Sequence, residues 1–319
     1  MSVWKGRCLI IRLPENYLTE DKGTIIMGEY ENQFGNIWEN AQIPYEEAYD
    51  VDAHNIMKPS PQRIMKITHE DEAEFTFQVY FKYASRHGQF CMLSLPRFGE
   101  IPIFISGRGE DWIEFTIQKV TQLTDSLFKL REGDLIYLRG PFGRPWPLEK
   151  FAGASKHLVI LAPETGITAV RTITGYFHSH PEELRSLYLI SSFKDEKGIL
   201  FRRELGKWNT HPHFHLLYTL TDAFSPGFGA GPCLSHLKDI PFASFGEDYH
   251  IAIAGPQQIM RETAEACLKM QIPEEKIWIC LERKMYCAAG KCGHCKINET
   301  YVCLEGPVFP YTRARLLFD

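Results

Sequence analysis

The sequence predicts a β barrel followed by a doubly wound α/β domain that ends in a cysteine-rich loop, and three observations predict it. Between about Ser60 and Pro147, short runs alternate apolar and polar residues and are separated by Gly, Pro or charged turns. From His157 onward, continuous apolar runs alternate with helical segments, as in parallel sheets buried on both faces. Near the C-terminus, Cys287, Cys292, Cys295 and Cys303 follow C-x4-C-x2-C-x7-C, so four of the nine cysteines lie within seventeen residues.

These textures divide the 319 residues into an extension (1–54), a barrel (55–151), an α/β domain (152–280) and a cysteine loop with its tail (281–319). A content of 44% apolar and 24% charged residues is that of an ordinary globule. The formal net charge of -5 gives no polybasic footprint, which argues against nucleic acid and anionic lipid as partners. No run of about eighteen apolar residues is present to cross a bilayer, so direct membrane insertion is not expected. Nothing near Met1 resembles a signal peptide, and a reducing cytoplasm is the expected location.

The extension opens on a β-like run, Cys8 to Leu13, and continues into an acidic segment bearing Tyr30, Phe34, Trp38, Tyr45 and Tyr49. It is short for a domain and aromatic for a disordered tail, so it either wraps its own body or docks on a partner. In the barrel, strands are expected at 63–68, 74–81, 88–96, 101–106, 112–120 and 134–139, with a short helix at 124–130. Such spacing suits a small closed barrel. In the α/β domain, strands are expected at 158–162, 187–192, 213–219, 249–254 and 276–281. Helices are expected near Thr168, at 199–208 and at 257–270, and the cysteine loop follows as a C-terminal appendage.

Cys287, Cys292 and Cys295 repeat the plant-type spacing by which thiolates hold a [2Fe-2S] cluster. Gly290 and Gly293 allow the backbone to curl so that its amides point at the sulfurs. A structural zinc site is the alternative, although zinc ribbons place a C-x2-C knuckle on each side and only Cys292 and Cys295 form one here. Cys8, Cys91, Cys233, Cys267 and Cys280 are scattered and read as small buried hydrophobes. His211, His213 and His215 would share one strand face if that strand began early enough, and a solvated face is the expected role.

Barrel, α/β domain and cysteine loop in this order resemble the ferredoxin-NADP reductase superfamily. The segments Leu281 to Cys295 and Tyr301 to Phe309 look like the electron-transfer subunits of dihydroorotate dehydrogenases and sulfhydrogenases. The resemblance runs closest to the B subunits of anaerobic sulfite reductases, on Gly88-Gln-Phe, Leu95-Pro-Arg-Phe-Gly-Glu, Leu138-Arg-Gly-Pro-Phe-Gly and the ending Arg315 to Asp319. It covers residues 60–319. It implies FAD between barrel and α/β domain, NAD(P)H on the loop after the first α/β strand, and a cluster on Cys287, Cys292, Cys295 and Cys303. The flavin would be held by Pro102, Ile103 and Phe104, then by Gln118, Lys119, Val120, Leu123 and Thr124. NAD(P)H would meet Thr165, Gly166, Gly255 and Pro256.

Three positions depart from that pattern. Phe104 stands where a Ser or Thr hydroxyl faces flavin N5, and a phenyl ring makes no hydrogen bond there. Thr121-Gln-Leu-Thr124 stands for Gly-x-Val-Thr, so bulk replaces the glycine at the pyrophosphate, and Thr124 with Asp125 either meets phosphate or simply caps a helix. Pro163-Glu-Thr-Gly166 keeps one glycine of the nicotinamide loop and puts the Glu164 carboxylate where a pyrophosphate would lie. The resulting expectation is an electron-transfer subunit of a multi-subunit cytoplasmic oxidoreductase, relaying electrons through FAD and a [2Fe-2S] cluster to or from a partner bearing siroheme or further iron-sulfur centres. The rival is a scaffold or one-electron wire that keeps the cluster and has lost its nucleotides.

Overall fold

The computed structural model describes residues 55–318, so the expectations for 1–54 and for Asp319 lie outside it. Its first half contains β1 (Ser60–His69), β2 (Glu74–Tyr80), β3 (Phe90–Leu95), β4 (Gly99–Phe104), β5 (Gly107–Arg108), β6 (Trp112–Gln118) and β7 (Leu135–Phe142), with helix α1 (Gln122–Leu127) before β7. All neighbours in the order β4-β3-β7-β1-β2-β6-β5 pair antiparallel. Beyond β4, Ser106 N donates to Glu114 O of β6 at 2.8 Å and closes the sheet on itself. Phe77, Val79, Cys91, Leu93, Phe115 and Leu138 fill the interior. Fully burying one such side chain contributes about 1.5–3 kcal/mol.

β3 is buried on both faces. Cys91 and Leu93 point into the barrel, while Phe90 and Met92 join the core of the second half. Period-2 alternation puts Glu100, Pro102 and Phe104 of β4 on that same outward face, because Met92 pairs with Pro102 and Phe90 with Phe104.

The second half runs α2 (Leu148–Phe151), β8 (Gly153–Leu161), α3 (Ile167–Ser179), β9 (Leu184–Phe193), α4 (Arg202–Trp208), β10 (Phe214–Leu220), β11 (Gly229–Ala230), β12 (Tyr249–Ala254), α5 (Gln257–Lys269) and β13 (Ile277–Cys280). The C-terminal segment adds β14 (Lys296–Ile297), β15 (Thr300–Tyr301), α6 (Val302–Glu305), β16 (Val308–Pro310) and α7 (Tyr311–Ala314). The large sheet has the order β11-β10-β9-β8-β12-β13-β16 and is parallel except at β16. Strand order therefore reverses between β8 and β12, the switch point at which open α/β sheets leave a crevice.

Along β8, Leu158 and Ile160 enter one core while Val159 and Leu161 enter the other. α3 covers the first face with Ile167, Val170, Ile173 and Phe177, and α5 covers the second with Met260, Ala264 and Cys267. Both sets follow helical spacing, so each helix lays one apolar stripe on the sheet.

Three expectations need correction. The helix near Thr124 begins at Gln122 with Thr121 as its N-cap, because Thr121 and Thr124 form a reciprocal capping box. The C-terminal segment is no appendage: Val308–Pro310 pairs antiparallel with β13 through Cys280↔Val308 and Trp278↔Pro310. The third sheet-forming run starts at Phe214, so His211 and His213 lie in the preceding turn and only His215 is in the strand.

Candidate electron-transfer site

The cysteine loop leaves β13 at Leu281, whose N–H donates to Pro307 O at 2.8 Å and so anchors both ends of the segment together. Ala288, Gly290 and Gly293 adopt φ of 56°, 66° and 73°, and these left-handed positions curl the chain around its own sulfurs. A side chain at Gly290 would also collide with Leu304, 2.3 Å from a built Cβ. The fourth cysteine returns by a short hairpin. Lys296 pairs with Tyr301 and Ile297 with Thr300, and Asn298 takes φ 50° at the turn. This explains the x7 spacing, since the hairpin brings Cys303 back beside Cys295.

Backbone amides converge on the sulfurs. Ala289, Lys291 and Cys292 each donate to Cys287 Sγ at 3.4 Å, and Gly290 donates to Cys303 Sγ at 3.3 Å. Among the other thiols, Cys292 is near enough to act on the ionisation of Cys287, and Cys295 on that of Cys303. Burial opposes ionisation of Cys287, but the amides of Ala289, Cys292 and Lys291 overcome it and bring its thiol down to about 6. Burial and the hydrogen bond to Cys295 push Cys303 up to about 12. Cys292 is exposed, Cys287 half-buried, and Cys295 and Cys303 are buried.

Among the described residues, no three His, Cys, Asp or Glu side chains gather as one metal ion requires. Two sets of neighbouring thiols with amides aimed at sulfur fit a group that presents two metal atoms and carries negative charge on its sulfurs. The remaining described cysteines, Cys91, Cys233, Cys267 and Cys280, are buried as expected. Burial pushes Cys233 up to about 11 and Cys267 up to about 12.

Pro102, Ile103 and Phe104 are half-buried on β4, with Phe104 packed against the cores on both faces of the parallel sheet. The phenyl ring thus occupies the seam between barrel and α/β domain. Gln118, at the end of β6, donates to Glu74 Oε1 at 2.6 Å, Lys119 N donates to Ala73 O at 2.8 Å, and Val120 is exposed. Leu123 and Thr124 are buried. The Thr124 hydroxyl accepts from Val120 N (2.9 Å) and Thr121 N (2.8 Å) and donates to Thr121 O (2.9 Å), while Thr124 N donates to Thr121 Oγ1 at 3.2 Å. The backbone amides of Val120, Thr121 and Thr124 are therefore engaged within the chain, and the polar groups expected to meet a pyrophosphate already have partners.

Thr165, Gly166, Gly255 and Pro256 meet at the switch point. A Cβ on Gly166 would lie 2.1 Å from Ala254 O, and one on Gly255 would lie 2.8 Å from Pro163 Cγ. The two glycines let the loops after β8 and β12 touch. Neither α3 nor α5 has a side-chain cap, but at the start of α3 the amides of Gly166 and Ile167 already donate to Pro163 O and to Glu164 O and Thr165 O, which leaves the start of α5 as the freer of the two for an anion. Glu164, exposed at φ 51° beside the α3 N-terminus, opposes that charge.

Residues 282–314 match the iron-sulfur cluster binding domain of dihydroorotate dehydrogenase B. Sulfhydrogenase 1 subunit gamma of Pyrococcus furiosus is 27% identical over 266 residues, covering 78% of this chain and 89% of that one. A probable dihydroorotate dehydrogenase B (NAD(+)) electron transfer subunit of Methanocaldococcus jannaschii is 29% identical over 255 residues, 79% of this chain and 90% of that one. Among solved structures, an NADH-dependent reduced ferredoxin-NADP oxidoreductase superposes with a TM-score of 0.64 at 19% identity, over 79% of this chain and 88% of that one. A Neisseria gonorrhoeae ferredoxin NADP+ reductase with bound FAD and NADP gives 0.60 at 20% identity, over 70% and 98%. The chain thus joins a ferredoxin-NADP reductase-like fold to an iron-sulfur cluster binding domain of the dihydroorotate dehydrogenase B type.

Proposed function

We propose that this chain is the electron-transfer subunit of a multi-subunit cytoplasmic oxidoreductase, similar to the B subunit of anaerobic sulfite reductase, that relays electrons through FAD and a [2Fe-2S] cluster. The observation that carries the reading is the set of amides from Ala289 to Cys292 aimed at thiols that neighbour one another as Cys287–Cys292 and Cys295–Cys303. Those four thiolates would hold the cluster, which when bound takes up and releases one electron at a time. Cys292 and its neighbours Lys291 and His294 are exposed, which gives a partner's redox centre close access. FAD, when bound, converts electron pairs to single electrons, and the seam between β4, β6 and the switch point is where this fold would hold it. The partner would carry the siroheme or further iron-sulfur centres that reduce sulfite or a similar acceptor.

A second reading is favoured by the Thr121–Thr124 box together with Phe104. These side chains supply to their own backbone and seam what a flavin would otherwise take, and Glu164 repels a dinucleotide. In that reading the chain is a one-electron wire whose barrel and α/β domain support the cluster.

One preparation separates the two. The protein is purified anaerobically, released FAD is measured by fluorescence, and iron by colorimetry. About one FAD and two irons per chain support the relay, and bleaching by NADH or NADPH then identifies the donor. About two irons without FAD, even after flavin is added, would establish the wire. Absence of iron from the anaerobic preparation overturns both.

A further inference from the structure

One barrel residue, at the end of the strand expected over 134–139, reaches the cysteine loop. Arg139 of β7 extends across β3 to Glu100 of β4, donating from Nε to Oε1 at 2.7 Å and from Nη2 to Oε2 at 2.5 Å. The same guanidinium donates from Nη1 to Cys287 O at 2.6 Å and from Nη2 to Tyr286 O. Its side chain is 8% exposed and that of Glu100 is 24% exposed. Four hydrogen bonds therefore converge on one planar fork, two on a carboxylate and two on successive carbonyls at the entrance to the cysteine loop. A lysine ammonium, as a compact point charge, does not reproduce this geometry.

We propose that Arg139, oriented by Glu100, is the positioning residue of the metal centre, fixing the Tyr286–Cys287 backbone from outside the loop and setting the local charge at that ligand. The assignment rests on the reading that Cys287, Cys292, Cys295 and Cys303 hold an iron-sulfur cluster. The residues of the loop have their own amides to orient sulfur, but those amides are consecutive with the ligands and move with them. Arg139 is 147 and 148 residues distant from its two carbonyl partners, so it ties the loop to a strand already fixed in the barrel. Glu100 lies on the same outward face of β4 as Pro102 and Phe104, which makes this strand the continuous connection between the seam and the cluster loop.

A reduced cluster carries one more negative charge than the oxidised one, so a nearby cation favours reduction and a nearby anion opposes it. Arg139→Gln removes the cation, and Glu100→Gln removes its counter-charge while keeping a side-chain acceptor for the fork. The cluster midpoint potential is expected to fall in the first variant and rise in the second. A purely structural role would shift both the same way or neither.

The test uses the full-length chain, with circular dichroism melting to confirm that each variant is folded. Arg139→Gln is expected to lower iron and acid-labile sulfide content severalfold and to change the EPR line shape of the reduced centre, with Arg139→Lys only partly restoring both. In metal-free protein, hydrogen exchange over 284–290 is expected to quicken in Arg139→Gln while β1 and β2 are unchanged. Wild-type iron content, potential and exchange in folded Arg139→Gln would overturn the proposal. If the wild-type chain holds no cluster, the reading of the site fails, and the exchange measurement alone decides whether Arg139 positions the loop.

Discussion

Arg171 of α3 donates from Nη1 to Glu114 Oε2 of β6 at 2.6 Å, joining the α/β half to the barrel across their seam. The guanidinium also donates from Nε to Glu204 Oε2 at 2.8 Å, from Nη2 to Glu204 Oε1 and from Nη1 to Ser106 O at 3.2 Å, and it lies over the Phe201 ring at 4.3 Å. Burial works against its charge, but the hydrogen bonds and charges of Glu204 and Glu114 hold its pKa above the ordinary arginine value. Removing one partner from such a pair leaves an uncompensated buried charge, which costs about 3–5 kcal/mol. Arg171→Met should lower the free energy of urea unfolding by about 3 kcal/mol. Glu204→Gln should cost less, because Glu204 is 36% exposed against 14% for Glu114.

The contact between the loops at the switch point predicts a paired glycine result. Gly166→Ala places a methyl against Ala254 O, so backbone must shift, and overpacking of this kind costs about 1–3 kcal/mol. Gly206→Ala in α4 meets nothing within 4 Å at ordinary helical φ and should stabilise by up to about 1 kcal/mol. Chemical denaturation of the two variants side by side should give opposite signs, and equal effects would show that the loops do not touch as described.

Glu74 predicts a pH dependence. Burial, then the hydrogen bond and charge of Asp71, raise its carboxyl to about 7, against a smaller lowering by Gln118. The folded state therefore holds a proton that the unfolded chain releases near its ordinary value of 4.5. The stabilisation is complete below that value and is lost as pH rises towards 7, with a slope of at most about 1.4 kcal/mol per unit. Glu74→Gln removes this contribution. The difference between variant and wild-type unfolding free energies should grow in the variant's favour from about pH 4.5 to 7 and level off above, and a flat difference would show that Glu74 ionises normally.

The Thr121–Thr124 box can be opened directly. Thr121→Gly removes the cap side chain of α1, and a lost cap of this kind costs a few tenths of a kcal/mol to about 1 kcal/mol. Combined with Phe104→Ser, it should increase flavin retention on gel filtration if these side chains fill the cradle. No change in retention, with folding intact, would show that other residues govern flavin binding.

Much of the barrel was legible because its strands are half-buried and alternate, as in Glu74 to Tyr80. β8 and β9 were legible for the opposite reason, since runs buried on both faces lose alternation and become uniformly apolar. The cysteine spacing singled out four thiols that the structure carries on one loop, and the positive φ at Gly290 and Gly293 agrees with the reason those residues stand there. Short elements escaped detection. Val308–Pro310 and the 296–301 hairpin carry too few residues to show a period, and what determines them is pairing with partners found only after folding. Arg139 was likewise hidden, because an arginine at the end of the strand expected over 134–139 shows no partner until the loop almost 150 residues later closes on it.

In the proposed relay, Cys287, Cys292, Cys295 and Cys303 would hold two irons bridged by sulfide. The most direct measurement is iron and acid-labile sulfide on anaerobically purified protein, with EPR before and after dithionite. About two irons and two sulfides per chain, silent when oxidised and giving an S = 1/2 signal when reduced, are expected. Loss of both on Cys303→Ser, but not on Cys267→Ser, would assign them to this loop. About one zinc per chain, with no sulfide and no signal in either state, would show a structural zinc site instead of a cluster.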